Sequence, residues 1–214
     1  EQEYKEYDGN CHQLYTAELL QEILLGLHSM CQGAEAQFFN GHTNVTSSRF
    51  IVFGVKGLLQ ASKNVRGAML FNILSYMSDR LLTIGNTTAA LDELYIWLGN
   101  PVAVEYIRNA LKRVRKKNSA MLMASQNVED FDRPGVREMT KPLFSIPPHQ
   151  FLFNCGTVNK KEFMDLLQLE EAEYNLIRFP QRGVCLFKCG NERYLLEVHA
   201  PAYKEALFGT AGGR

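Results

Sequence analysis

No Gly-Lys dipeptide occurs anywhere in these 214 residues, so the glycine-rich loop that cradles nucleotide phosphates with a following lysine is not encoded here. Nor is there a Cys-x-x-Cys pair. The five cysteines, at 11, 31, 155, 185 and 189, read as reduced core thiols. Cys185 and Cys189 stand too far apart along an extended chain to be bridged. The histidines at 12, 28, 42, 149 and 199 are scattered, which excludes a zinc-thiolate pattern. Charge of one sign is also missing. Lys plus Arg and Asp plus Glu number 23 each, so no global field recruits nucleic acid or an anionic surface, and any such contact needs a local patch. No apolar run approaches the roughly 18 residues of a membrane span, since Lys56 interrupts the run from Phe50 to Leu59. A signal-peptide pattern does not open the chain. Its start, Glu-Gln-Glu-Tyr-Lys-Glu-Tyr, is charged and lacks an initiator methionine, from which we expect a piece of a longer polypeptide.

What is present is the composition of a globular domain, 46% hydrophobic and 21% charged. Helical spacing marks about 12 to 32, and again about 58 to 82 through Val65, Met69, Ile73 and Met77. A strand is expected at Phe50 to Val55. Another short uncharged run ends at 91. Asn100 and Pro101, a cap followed by a first-turn proline, start a helix to about Lys117. Its apolar stripe is Ala103, Ile107, Ala110, Leu111 and Val114. A strand follows at 119 to 125, then a short helix near 135 to 142 and a strand from Gln150 to Cys155. Two small helices, about 159 to 168 and 170 to 179, precede a hairpin of Val184 to Lys188 and Tyr194 to Val198 turned at Gly190-Asn191. Alternating strands and helices predict an α/β fold.

The chemistry concentrates at Thr-Thr-Ala-Ala-Leu-Asp-Glu, 87 to 93, where a strand-like run ends in two adjacent carboxylates. Nucleotide hydrolysis uses such a pair: the Asp stands beside the magnesium of bound ATP and the next carboxylate polarises the attacking water. A solvated helix start would account for Asp92 and Glu93 equally well. Strand, helix, strand through a right-handed crossover makes the two strands parallel and brings Asp92, Glu93 and Gln126 to one sheet edge, where open α/β sheets bind ligands. Gln126 there can sense a terminal phosphate or orient water, or it simply begins a polar loop.

Taken together, several segments resemble one family. They are Phe39-Asn-Gly-His-Thr-Asn-Val45, Arg49-Phe-Ile-Val-Phe-Gly-Val-Lys56, Leu91-Asp-Glu93, Lys112-Arg-Val-Arg-Lys116 and Gln126-Asn-Val-Glu-Asp130. In order and spacing, over roughly 35 to 208, they are similar to the VirB-type conjugative-transfer ATPases of type IV secretion systems, and more narrowly to a subclass in Gram-positive mobile elements. Glu1-Gln-Glu-Tyr4 resembles the acidic motif after that family's second strand.

The resemblance implies a RecA-like core of the HerA and FtsK type: a mostly parallel sheet flanked by helices, a small helical element at the N-terminus and a C-terminal β-hairpin. Residues 1–33 would be the remnant of the strand after the phosphate loop plus a helical subdomain, 34–208 the ATPase core and 209–214 a loose tail. ATP and Mg²⁺ are the implied cofactors, with Asp92 the magnesium-side carboxylate acting through water, Glu93 the catalytic base and Gln126 the phosphate-sensing residue. The implied setting is a homo-oligomer, a hexamer when active, peripheral at the cytoplasmic face of the membrane and partnered with a secretion channel and coupling proteins.

The basic cluster Arg108, Lys112, Arg113, Arg115, Lys116 and Lys117 suits three uses. It complements a helix C-terminus, contacts DNA through the 108–117 helix, or supplies Arg113 or Arg115 as a finger to a neighbour's site, with Arg137 as a competitor. Two departures stand out. Gly54 and Gly57 replace acidic residues usual in the family, and the phosphate loop is expected upstream of Glu1. Those departures suit an alternative, a non-hydrolysing interaction module that docks on a secretion channel or another motor. Trp97, Tyr95 and Phe131 are expected to pack rather than stack on a base. Tyr203, Leu207 and Phe208 form an amphipathic turn that folds over the cleft or meets a neighbour.

Overall fold

In the computed structural model, residues 16–209 are described except 34, 43–47, 127, 129–130, 132–136, 155 and 157–158. The acidic segment at 1–4, Cys11, His12, Cys155, the tail beyond Gly209 and parts of the 39–45 and 126–130 segments lie outside the described residues.

Two compact units divide the chain, residues 1–66 and 67–214. In the first, helix α1 (Ala17–Cys31) starts at Thr16, whose hydroxyl accepts from the Leu19 amide at 3.2 Å and satisfies one of the free N–H groups of the first turn. The short α2 (Ala36–Phe39) packs against it, and the Asn40 side chain donates to the Cys31 carbonyl at 2.8 Å. The strand expected at Phe50 to Val55 does not form. Phe50 and Val52 stand 83% and 74% exposed, and no ladder partner reaches this segment among the described residues. Apolar alternation makes a strand only where a neighbouring strand takes its backbone groups.

Helix α3 (Lys63–Asp79) leaves the first unit and ends in a π-helical turn, Arg80–Ile84. Strand β1 (Thr88–Leu91) follows, then α4 (Tyr95–Leu98) and α5 (Pro101–Arg113). Asn100 caps α5 through Oδ1, which accepts from Val102 and Ala103 at 3.0 and 3.4 Å, and Pro101 opens the helix without sacrificing a donor. Ala103, Val104, Ile107, Ala110 and Val114 are buried, and Leu111 is half-buried. A 3₁₀ turn, Val114–Lys117, leads into β2 (Ala120–Met123), parallel to β1 with Thr88 opposite Ala120 and Leu91 opposite Met123.

After β2 come α6 (Arg137–Ser145), β3 (His149–Leu152), α7 (Lys160–Leu167), α8 (Glu171–Ile177), β4 (Val184–Cys189), β5 (Glu192–Glu197) and α9 (Ala202–Phe208). Strands β3, β4 and β5 form an antiparallel sheet in that order. Leu186 of β4 packs with Phe163, Leu167, Leu169 and Ile177 into a satellite core. The hairpin turn uses Gly190 at φ 57°, a positive angle that glycine adopts without a Cβ penalty. The α/β expectation holds, with the parallel portion among the described residues confined to the β1–β2 pair.

Candidate functional site

The C-terminal edge of the β1–β2 pair gathers Asp92, Glu93 and Gln126. Parallel pairing continues past the strands: the Ala124 amide donates to the Leu91 carbonyl at 2.9 Å, and the Leu94 amide donates to the Ala124 carbonyl at 2.9 Å. Asp92 and Glu93 sit between those two bonds. Glu93 takes φ 51°, in the left-handed region. A non-glycine residue held there stores about 1–3 kcal/mol of strain, and such residues cluster at functional sites. The Glu93 amide is satisfied by Asp92 Oδ1 at 2.9 Å.

Across the strand pair, Gln126 Nε2 donates to Glu93 Oε1 at 2.7 Å. The bond joins residues 33 apart in sequence, and both side chains are reached by solvent. Below them, Leu94, Trp97 and Leu98 are buried and hold the backbone that carries the carboxylates, while Tyr95 is exposed. Beyond Gln126, Phe131 is 3% exposed and rings with Phe144 edge to face at 4.6 Å between centroids. The buried Thr140 hydroxyl donates to the Phe131 carbonyl at 2.7 Å and ties that loop to α6. Trp97 and Phe131 therefore pack.

The basic cluster lies elsewhere. Arg113 ends α5 and Arg115 is in the following 3₁₀ turn, both exposed, at the N-terminal end of β2. The Asn86 amide donates to the Lys117 carbonyl at 2.8 Å, which roots this turn at the start of β1. The site edge and the basic turn thus occupy opposite ends of one strand pair. Arg137 begins α6. In α9, Tyr203, Leu207 and Phe208 are 63%, 72% and 82% exposed.

As a donor set, Asp92 and Glu93 offer hard carboxylate oxygens, the type magnesium takes one or two of while keeping waters and substrate phosphates. Among the described residues, no cluster of three metal-ligating side chains forms a cage. That fits an ion held partly by a bound nucleotide. It does not fit a resident structural metal.

Neither the two-residue offset at Asp92 and Glu93 nor the buried Thr140 tie was legible from residue pattern. The offset has no glycine to mark it, and a threonine inside a helix has no sequence signature of what its hydroxyl meets.

Compared with known proteins, the chain is 29% identical over 157 residues to a probable conjugal transfer protein TrbE of Sinorhizobium fredii, covering 70% of this chain and 23% of that protein. It is 36% identical over 114 residues to conjugal transfer protein TrbE of Rhizobium radiobacter, covering 50% and 14%. Among solved structures, VirB4 of Thermoanaerobacter pseudethanolicus matches with a TM-score of 0.78 and 29% identity, over 94% of this chain and 55% of that one. The chain thus spans less than a quarter of the length of these curated relatives and about half of the solved chain. No family model matches it.

Proposed function

From its kinship in sequence and fold, the chain is of the VirB4 and TrbE type, and on that premise we propose that it is the carboxylate-bearing part of an ATP-hydrolysing motor that energises conjugal transfer through a type IV secretion system. The observation that supports this most is the meeting of Asp92, Glu93 and Gln126 at the C-terminal edge of a parallel strand pair, the place where open α/β sheets bind their ligands. In this reading Glu93 takes the proton of the attacking water. Asp92 stands on the magnesium side through a water molecule, and Gln126 faces the terminal phosphate. Bound Mg²⁺ and ATP supply the charge neutralisation and the phosphoryl group. The chain's own residues orient water and accept its proton.

The reading needs a phosphate-binding loop from outside these residues, because no Gly-Lys dipeptide is encoded within them. The isolated chain is accordingly expected to bind ATP weakly. Micromolar affinity for the bare chain would contradict that. We further propose a ring-forming homo-oligomer, a hexamer when active, peripheral at the cytoplasmic face of the membrane, receiving channel and coupling proteins as partners. The turn at 113–117 is then available to a neighbouring subunit or to passing DNA. Membership in the Gram-positive mobile-element subclass is proposed on the sequence segments alone.

In the whole protein that carries this chain, Glu93→Gln should abolish turnover while leaving ATP binding largely intact. Turnover that survives this change sinks the motor reading. It would favour the second one, a non-hydrolysing module docking on a channel, for which Gly54 and Gly57 in place of acidic residues speak.

A further inference from the structure

The register of β1 on β2 contains one extra residue at the site. With Leu91 opposite Met123, regular parallel pairing next sets residue 92 opposite Ala124, so that Ala124 donates to the Leu91 carbonyl and its own carbonyl accepts from the Glu93 amide. The first bond is present. The second is made by the Leu94 amide, at 2.9 Å. Asp92 and Glu93 therefore share the place opposite a single residue, which is a β-bulge, a device that bends a strand and re-aims a side chain.

The bulge is held on every side. Leu94, 3% exposed, anchors its far end, the left-handed backbone of Glu93 makes the turn, and Asp92 Oδ1 takes the amide that lost its ladder partner. Left-handed backbone costs about 1–2 kcal/mol for a residue with a Cβ, so these contacts have a strain to hold against. The result is that Glu93 Oε1 meets Gln126 Nε2 at 2.7 Å. A charge-assisted bond of that length is directional. A glutamine amide has two N–H donors and one acceptor oxygen. One donor is committed to Glu93, while its second N–H and its carbonyl can still serve a water or a phosphate oxygen.

Resting on the motor reading above, we propose that Gln126 works through Glu93: it is a positioning residue that sets the direction of the base, and the bulge at Asp92 and Glu93 exists to bring the base within its reach. An amide that senses phosphate on its own account would act independently of Glu93. A positioning amide has nothing left to do once the carboxylate is gone.

A double-mutant cycle in the whole protein separates the two. Gln126→Ala alone should lower kcat about 10- to 100-fold with KM nearly unchanged, the signature of an interaction used in the transition state. In the Glu93→Gln background the same change should cost less than about threefold, because residues that act as a unit are not additive. Losses that multiply, or a KM rise that carries most of the effect, overturn the proposal and make Gln126 an independent nucleotide contact. Full turnover in Glu93→Gln alone would sink the motor reading and this inference with it. The contact itself is tested on the present chain without nucleotide: the side-chain amide NMR resonances of Gln126 should shift on Glu93→Ala and stay in place on Glu105→Ala. Resonances indifferent to Glu93→Ala overturn the inference whatever the kinetics of the whole protein.

Discussion

Arg113 and Glu93 stand at opposite ends of the same pair of strands, one where β2 begins and the other just past the end of β1. Four residues of strand span about 13 Å, so a guanidinium rooted at one end is misplaced to serve the base at the other within one chain. A neighbouring subunit is the remaining client. If Arg113 or Arg115 is a trans-acting finger, whole-protein variants Arg113→Ala and Arg115→Ala lose turnover, by about 10³-fold for the true finger. Mixing the inactive variant with inactive Glu93→Gln subunits then restores some of the activity. No recovery on mixing rules out the trans role.

The strained backbone of Glu93 gives a stability prediction separable from catalysis. Glycine adopts φ near 50° freely, whereas alanine retains the Cβ penalty, so Glu93→Gly should be about 1 kcal/mol more stable than Glu93→Ala. Urea unfolding of the isolated chain measures the difference. Equal stabilities would mean that residue 93 is not held left-handed.

Gly183 makes the sharper steric case. At φ 79°, a Cβ built on it would lie 2.5 Å from the Val198 carbonyl oxygen, while its own carbonyl accepts the Val198 amide at 2.9 Å. Gly183→Ala should therefore destabilise the chain by about 2 kcal/mol or more, from positive φ and backbone overlap together. Gly190→Ala, also at positive φ but with open space around it, should cost less. Thermal melts of the two variants decide it.

Acid sensitivity follows from Glu171. Lys160 donates a hydrogen bond to it, and the ammonium charge adds to the effect, so its carboxyl titrates below the usual value of 4.5. A folded-state value below the unfolded one contributes stability that is complete above pH 4.5 and is lost as pH falls through the folded value. Both groups are solvent-exposed, which keeps the contribution small. Lys160→Met should return the Glu171 carboxyl to its ordinary range in a ¹³C titration. A curve unchanged by that substitution would remove the ion pair as the cause.

Elements defined by local chemistry were readable in advance. Asn100-Pro101 announced α5 because a side-chain acceptor and a proline without an amide are what a first turn needs, and the buried face followed from its spacing, with Val104 the one buried position left out. The Gly190-Asn191 turn announced the hairpin in the same way. Long-range placement was readable only where topology forced it, as for the parallel β1 and β2. Phe50 to Val55 carries the right residues for a strand, yet a strand is a relation between two segments, and its partner is not written in its own composition. The offset at Asp92 and Glu93 is a matter of one residue in register, set by Leu94 finding both a buried seat and the Ala124 carbonyl. Local patterns do not reach that far.

The cationic turn is fastened to the root of β1 by the Asn86–Lys117 bond, and Gly85 lies so near that a Cβ there would be 2.7 Å from the Lys117 carbonyl oxygen. No slack separates the two. Whatever pulls on the arginines, whether a neighbouring protomer or a passing polyanion, pulls on the foot of the strand whose tip bears the carboxylates, so force felt at one end is delivered along a rigid rod to the other.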